Sequence, residues 1–89
     1  MFEYANGDKD WRRGNILHRE DGPAIITANN NKYWFLNGQR HRTDGPASEY
    51  VSGTKHWYLN GKHLSFNEWL DKNSTMTDEE KVMFKLQYG

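Results

Sequence analysis

Apolar residues in this chain come in short aromatic bursts that return every 23 positions, with polar turn-forming residues between them. Trp11, Trp34 and Trp57 hold that spacing, as do Lys9, Lys32 and Lys55, His18 and His41, and Asp21-Gly22-Pro23-Ala24 with Asp44-Gly45-Pro46-Ala47. A fixed period of this length marks one supersecondary unit stacked on copies of itself. In the middle unit the β-branched run 24–28 predicts a strand, Asn29-Asn30-Asn31 a hairpin tip, and the aromatic run 32–36 a second strand. The central tip position is Gly7, Asn30 and Gly53 in the three units, residues that accept positive φ. Asn37-Gly38, repeated as Asn60-Gly61, predicts a tight turn into a third short strand at 39–41. Asp44-Gly45-Pro46 then predicts the turn into the next unit.

Alternation along these strands assigns two faces. Trp34 with Leu36, and Trp57 with Leu59, share one, and the row of tryptophans is the expected core. Tyr33 and Phe35 in the second unit, and His56 and Tyr58 in the third, occupy the other. The first unit is polar where the others are apolar, with Arg12-Arg13 and an inverted Gly14-Asn15 pair. It is expected to form an irregular hairpin and a solubilising N-terminal cap. After Gly61 the period stops. Ser65 and Glu68 make a capping box, and Leu64 and Trp69 a hydrophobic staple. Thr77 and Glu80 make a second box ahead of a stripe of Val82, Met83 and Leu86. Two short helices follow from these signals, placed to cover the last open strand edge. The expectation is one mainly β domain over residues 1–89. Residues 1–64 form three 23-residue β-hairpin repeats in a twisted antiparallel meander or solenoid-like sheet, and residues 65–89 form a C-terminal cap of two short α-helices.

Composition sharpens this in three ways. Rings are abundant, with four Trp, five Tyr and four Phe, while mean hydropathy is −1.10, so a thin sheet built on large aromatic contacts is expected. Twelve basic and twelve acidic residues balance, which argues against a general nucleic-acid binder, since that needs a basic excess. Cysteine is absent, so no disulfide framework, zinc ribbon or thiol nucleophile is expected. The opening residues do not read as a signal peptide, and no run approaches the roughly 20 apolar residues of a membrane span. A cytoplasmic location without a membrane partner is the expectation.

The motif His41-Arg42-Thr43-Asp44-Gly45-Pro46-Ala47, followed by Lys55-His56-Trp57-Tyr58-Leu59-Asn60-Gly61-Lys62-His63, resembles the DGPA-type repeats of small bacteriophage-encoded proteins. Those repeats are similar to a variant of the membrane occupation and recognition nexus (MORN) repeat. The resemblance covers residues 1–64, and the passage from Asn60-Gly61 through Leu64-Ser65 into a helix resembles the way many such phage proteins end. It implies a β-solenoid-like sheet and an accessory phage role in the host cytoplasm, with no settled activity. Scaffolding of proteins or lipids, or binding that disables a host enzyme or defence factor, is what the resemblance implies.

Candidate chemistry is sparse. His18 with Asp21, and His41 with Asp44, stand three apart as a general base or ligand pair would. They recur with the period and flank a turn, so repeat geometry is the expected reason for them. His18 and His41 lie one repeat apart, and His56 and His63 fall off that register, so no metal or cofactor is expected. Arg40-His41-Arg42, with Arg19 matching Arg42, offers either a basic stripe for a phosphate-bearing ligand, an acidic protein or anionic lipid, or a solvated edge that resists aggregation. Tyr33, Phe35, His56 and Tyr58 offer an aromatic platform of the kind enriched at binding hot spots. Alternatively the helices lie over that face, or two copies pair through it as a homodimer. The function expected is a non-enzymatic protein-binding module acting on a host protein, with no catalytic residues. The alternatives are sequestration of a nucleotide-like, phosphate-bearing small molecule and a lipid-surface or structural scaffold.

Overall fold

A computed structural model describes residues 1–88, and these fold as a mainly β structure with two helices near the C-terminus. The described residues form eleven short strands: β1 (Phe2–Glu3), β2 (Lys9–Asp10), β3 (Arg12–Arg13), β4 (Ile16–Leu17), β5 (Ile25–Ile26), β6 (Lys32–Tyr33), β7 (Phe35–Leu36), β8 (Gln39–Arg40), β9 (Ser48–Glu49), β10 (Lys55–Leu59) and β11 (Lys62–Leu64). Helices α1 (Phe66–Lys72) and α2 (Asp78–Tyr88) follow. A seven-stranded antiparallel sheet runs in the order β1-β2-β5-β6-β9-β10-β11, beside the two-stranded pairs β3-β4 and β7-β8.

The pairs arise because the predicted aromatic strands break at their tryptophans. Trp34 donates its N–H to the Ala47 carbonyl at 2.8 Å, while its own carbonyl accepts from the His41 N–H at 3.1 Å. Trp11 does the same between Ala24 and His18. One residue thus bonds backward into the large sheet and forward into the small one, and the strand bends there. In the third unit β10 runs unbroken, pairing with β9 through Lys55 and His56 and with β11 from Trp57 onward.

Turn chemistry sets the register. Asn37 and Gly38 both take positive φ, 50° and 78°, as do Asn60 and Gly61, which suits a type I′ hairpin. In the inverted first-unit pair only Gly14 does so, the φ signature of a type II′ turn. Each unit is then stapled to the next through side chains. His18 Nδ1 accepts the Asn37 N–H and His41 Nδ1 accepts the Asn60 N–H, both at 2.9 Å. At the opposite tips, Asp8 accepts the Ala28 N–H at 2.7 Å and Asn31 accepts the Val51 N–H at 2.9 Å. Periodic histidines and Asx residues are therefore bound to backbone in this fold.

The tryptophan row is not one continuous apolar core. Trp57, Leu64, Trp69 and Leu70 form the buried cluster, with Phe66, Phe84 and Tyr88 packed on it. Trp34 and Trp11 are only half-buried, and each is covered by an arginine whose Cζ stands 3.9 Å from the ring centroid, Arg42 and Arg19 respectively. The capping box at Ser65 and Glu68 is formed, as is the Thr77–Glu80 pair. Expectation and structure part at α2, where Val82, Met83 and Leu86 face solvent. Phe84 and Tyr88 make its contact instead, because their rings reach the Trp69 and Trp57 surface, at 5.7 Å and 5.1 Å between centroids. Among the described residues no helix is long and apolar enough to cross a membrane.

Candidate functional site

Trp57 turns into the helix-packed cluster, so its strand neighbour Tyr58 turns to the opposite face. Tyr33 and Phe35 flank Trp34 and share that opposite face. The Asn37-Gly38 turn sets Arg40 across from Phe35, and the guanidinium reaches over three rings. Its Cζ is 5.1 Å from the Tyr33 centroid, 5.9 Å from Phe35 and 5.2 Å from Tyr58. Nη1 donates to the Tyr58 hydroxyl at 3.1 Å. The Asn60-Gly61 turn sets His63 across from Tyr58, and the two rings stack at 4.8 Å.

A second line of contacts closes the arrangement. Tyr33 meets Tyr50 edge-on at 5.8 Å, Tyr50 meets His56 edge-on at 5.8 Å, and His56 Nδ1 lies 3.3 Å from His63 Nε2. Burial, with the Tyr50 hydroxyl beside it, holds the Tyr33 phenol above its ordinary pKa against the pull of Arg40. None of these residues belongs to the helix-packed cluster. The rings are half-buried and His63 is exposed, so they brace one another while keeping an outer surface free. Rings fixed in this way lose little freedom when something docks on them.

Charge separates Arg40 from the other arginines. Arg12 pairs with Asp10, Arg13 with Glu20, Arg19 with Asp21, and Arg42 with Asp44 and Glu49. Among the described residues Arg40 meets no carboxylate. The structure also sends the three residues of the Arg40-His41-Arg42 segment in different directions. Arg40 joins the aromatic face. His41 is partly buried, which lowers its pKa, and it holds the Asn60 amide. Arg42 lies on Trp34, donating to the Asp44 carboxylate at 2.9 Å and to the Pro46 carbonyl at 3.0 Å.

The His18 and Asp21 side chains serve separate partners, Asn37 and Arg19, and the Arg19 hydrogen bond holds the Asp21 carboxyl below its ordinary value. Asp44 likewise serves Arg42 rather than His41. Among the described residues no group of three or more His, Cys, Asp or Glu is placed to hold a metal ion. Sequence reasoning missed Tyr50 and His63 as members of the aromatic face. His63 was within reach, because a two-residue turn at 60–61 fixes its pairing with Tyr58. Tyr50 carried no comparable signal, since it sits beyond β9 at the foot of a longer tip. No protein-family model, curated protein or solved structure matches the chain.

Proposed function

We propose that this chain is a non-enzymatic protein-binding module, an accessory protein of the bacteriophage type that engages a host protein through the surface around Arg40. The single arginine without a carboxylate partner among the described residues stands on a half-open bed of rings, on the face that the helices leave uncovered. Aromatic residues and arginine are the types enriched at binding hot spots. A partner that completes this surface supplies an anionic group for Arg40, set within apolar area that covers Tyr33, Phe35 and Tyr58. The resemblance of residues 1–64 to phage DGPA-type repeats is what points to a host protein as that partner.

The same unpaired cation favours a second reading, in which a phosphate-bearing small molecule stacks on the rings with its phosphate on Arg40. Affinity capture from bacterial cytosol separates the two, using the full chain beside its Arg40→Ala and Tyr58→Ser variants. One host protein recovered at near-stoichiometric yield, and lost with both variants, is the expected result. Recovery of the bait alone, together with a rise in melting temperature on adding a nucleotide, would replace the protein partner with the small molecule.

A further inference from the structure

A second surface lies on the tryptophan face. The turn at residues 19–22 and the turn at residues 41–44 enclose a cleft of about 350 Å³ whose floor includes Trp34 and Leu36. That volume lies within the range of natural ligand sites. Advancing each lining position by 23 gives the corresponding place one unit on, with Trp57 and Leu59 as its floor and Arg42 and Thr43 in place of Arg19 and Glu20.

That second place is filled by the chain itself. The Trp69 ring of α1 packs 4.6 Å from Trp57, and its Nε1–H donates to the Arg42 carbonyl at 2.9 Å. One helical turn later, Asn73 Nδ2–H donates to the Thr43 carbonyl at 2.6 Å. Trp69 is 0% exposed and Asn73 is 2% exposed. The cap thus seats an indole and a carboxamide, four residues apart, on two successive carbonyls of the preceding turn.

The first cleft retains the matching acceptors. No described residue donates to the Arg19 or Glu20 carbonyl, and Trp34 and Leu36 are half-buried where Trp57 is buried. One difference bears on the fit. Arg42 lies over Trp34, where Trp69 lies over Trp57. An incoming ring therefore meets the part of Trp34 that Arg42 leaves open, together with Leu36, and does not repeat the full ring-on-ring contact.

We propose that this first cleft is a docking site for a tryptophan-bearing helical turn of a partner protein, seated as α1 seats itself one unit on. Its indole N–H donates to the Arg19 carbonyl, and a carboxamide four residues later donates to the Glu20 carbonyl. The site lies on the face opposite the Arg40 surface and does not depend on the reading given for that surface.

The test uses the full chain, isotope-labelled for NMR, and a peptide of residues 65–76 that carries Asn67→Lys and is held helical by a lactam between that lysine and Asp71, both positions being solvent-facing in α1. The expected result is shift changes confined to residues 19–22, Trp34, Leu36 and residues 41–44. Replacing the peptide's tryptophan with alanine weakens binding about tenfold or more, and replacing its asparagine weakens it about threefold to tenfold. Leu36→Lys in the chain abolishes the changes while the rest of its spectrum keeps the native pattern. Absence of binding at millimolar peptide would overturn the proposal. So would shifts centred on Trp57 and Leu64, where the peptide would be displacing α1, or shifts that the tryptophan-free peptide reproduces.

Discussion

Replacing Gly45 with alanine probes the arrangement that covers the tryptophan face. Gly45 lies outside the left-handed region of backbone space, so an added methyl group meets no conformational bar of its own. What it meets is Arg42: a Cβ there would stand 2.7 Å from Cζ and 2.9 Å from Nη1. The guanidinium is not free to swing aside. It lies 3.9 Å from the Trp34 centroid and bonds to Asp44 at 2.9 Å, to the Pro46 carbonyl at 3.0 Å and to Glu49 at 3.1 Å. Expelling it forfeits a charge-assisted bond to a backbone carbonyl, about 1.5–3 kcal/mol. It also forfeits the contact with the ring, about 0.5–1 kcal/mol. The exposed ion pair with Asp44 adds little. Gly45→Ala is therefore expected to cost about 2–4 kcal/mol of unfolding free energy, measured by urea denaturation at unchanged slope.

At Gly22 the same methyl group would stand 3.0 Å from Arg19 Cζ, and Ile26 occupies the position that Glu49 holds in the second unit. Arg19 makes the same bond to a backbone carbonyl, at Pro23, and the same contact with a ring, at Trp11. At 3.0 Å and without a second carboxylate, however, it has only to give slightly and is not expelled, so Gly22→Ala is expected to cost about 1 kcal/mol. A double-mutant cycle isolates the cause. In an Arg42→Ala chain there is no guanidinium to displace, and Gly45→Ala should become neutral or stabilise by about 0.4–1 kcal/mol through the unfolded state. An undiminished cost in that background would show that the methyl group acts on something other than the Arg42 guanidinium.

Three further outcomes follow from the same contacts. Ser48 is fully buried and its hydroxyl has no hydrogen-bond partner among the described residues, so Ser48→Ala should raise stability by about 1 kcal/mol, seen as a higher urea midpoint. Trp69→Ala should cost about 3–5 kcal/mol and weaken the helical circular-dichroism signal, since it empties the centre of the cluster and strips the Arg42 carbonyl of its donor. His41 gives a pH dependence: burial lowers its pKa below the ordinary 6.5, and its Nδ1 must be unprotonated to accept from Asn60. The unfolded chain takes up that proton first, so stability present above pH 6.5 is lost as pH falls from there through the folded value. His41→Asn should show a smaller loss of stability between about pH 7.5 and about pH 5.5 than the native chain, and an equal loss would place the acid sensitivity elsewhere.

Local signals in this sequence were strong enough to read its turns and caps. The Asn-Gly pairs, the tips at Gly7, Asn30 and Gly53, and the two capping boxes each rest on contacts within a few residues, and each is present. What stayed hidden depended on partners far along the chain. The five-residue strand at 32–36 looks continuous until the Trp34 N–H is seen to bond Ala47 while its carbonyl bonds His41. Arg42 reads as a basic edge residue because nothing near it in sequence shows that its guanidinium lies on Trp34. The face of Tyr33, Phe35, His56 and Tyr58 was legible from alternation alone. Whether the helices covered it was not, because Phe66 and Trp69 suit either face, and only the packed structure shows them on Trp57. The stripe of Val82, Met83 and Leu86 misled for a related reason, since periodicity marks an apolar face without weighing it against the larger rings of Phe84 and Tyr88.

The proposed surface around Arg40 is tested most directly by placing a photoreactive benzoylphenylalanine at position 35 of the full chain and irradiating it in bacterial cytosol. The expected result is one crosslinked species of discrete mass, joining this chain to a single host protein and disappearing when Arg40→Ala is added. An adduct only with a second copy of the chain, or one that persists without Arg40, would contradict it, as would the absence of any adduct.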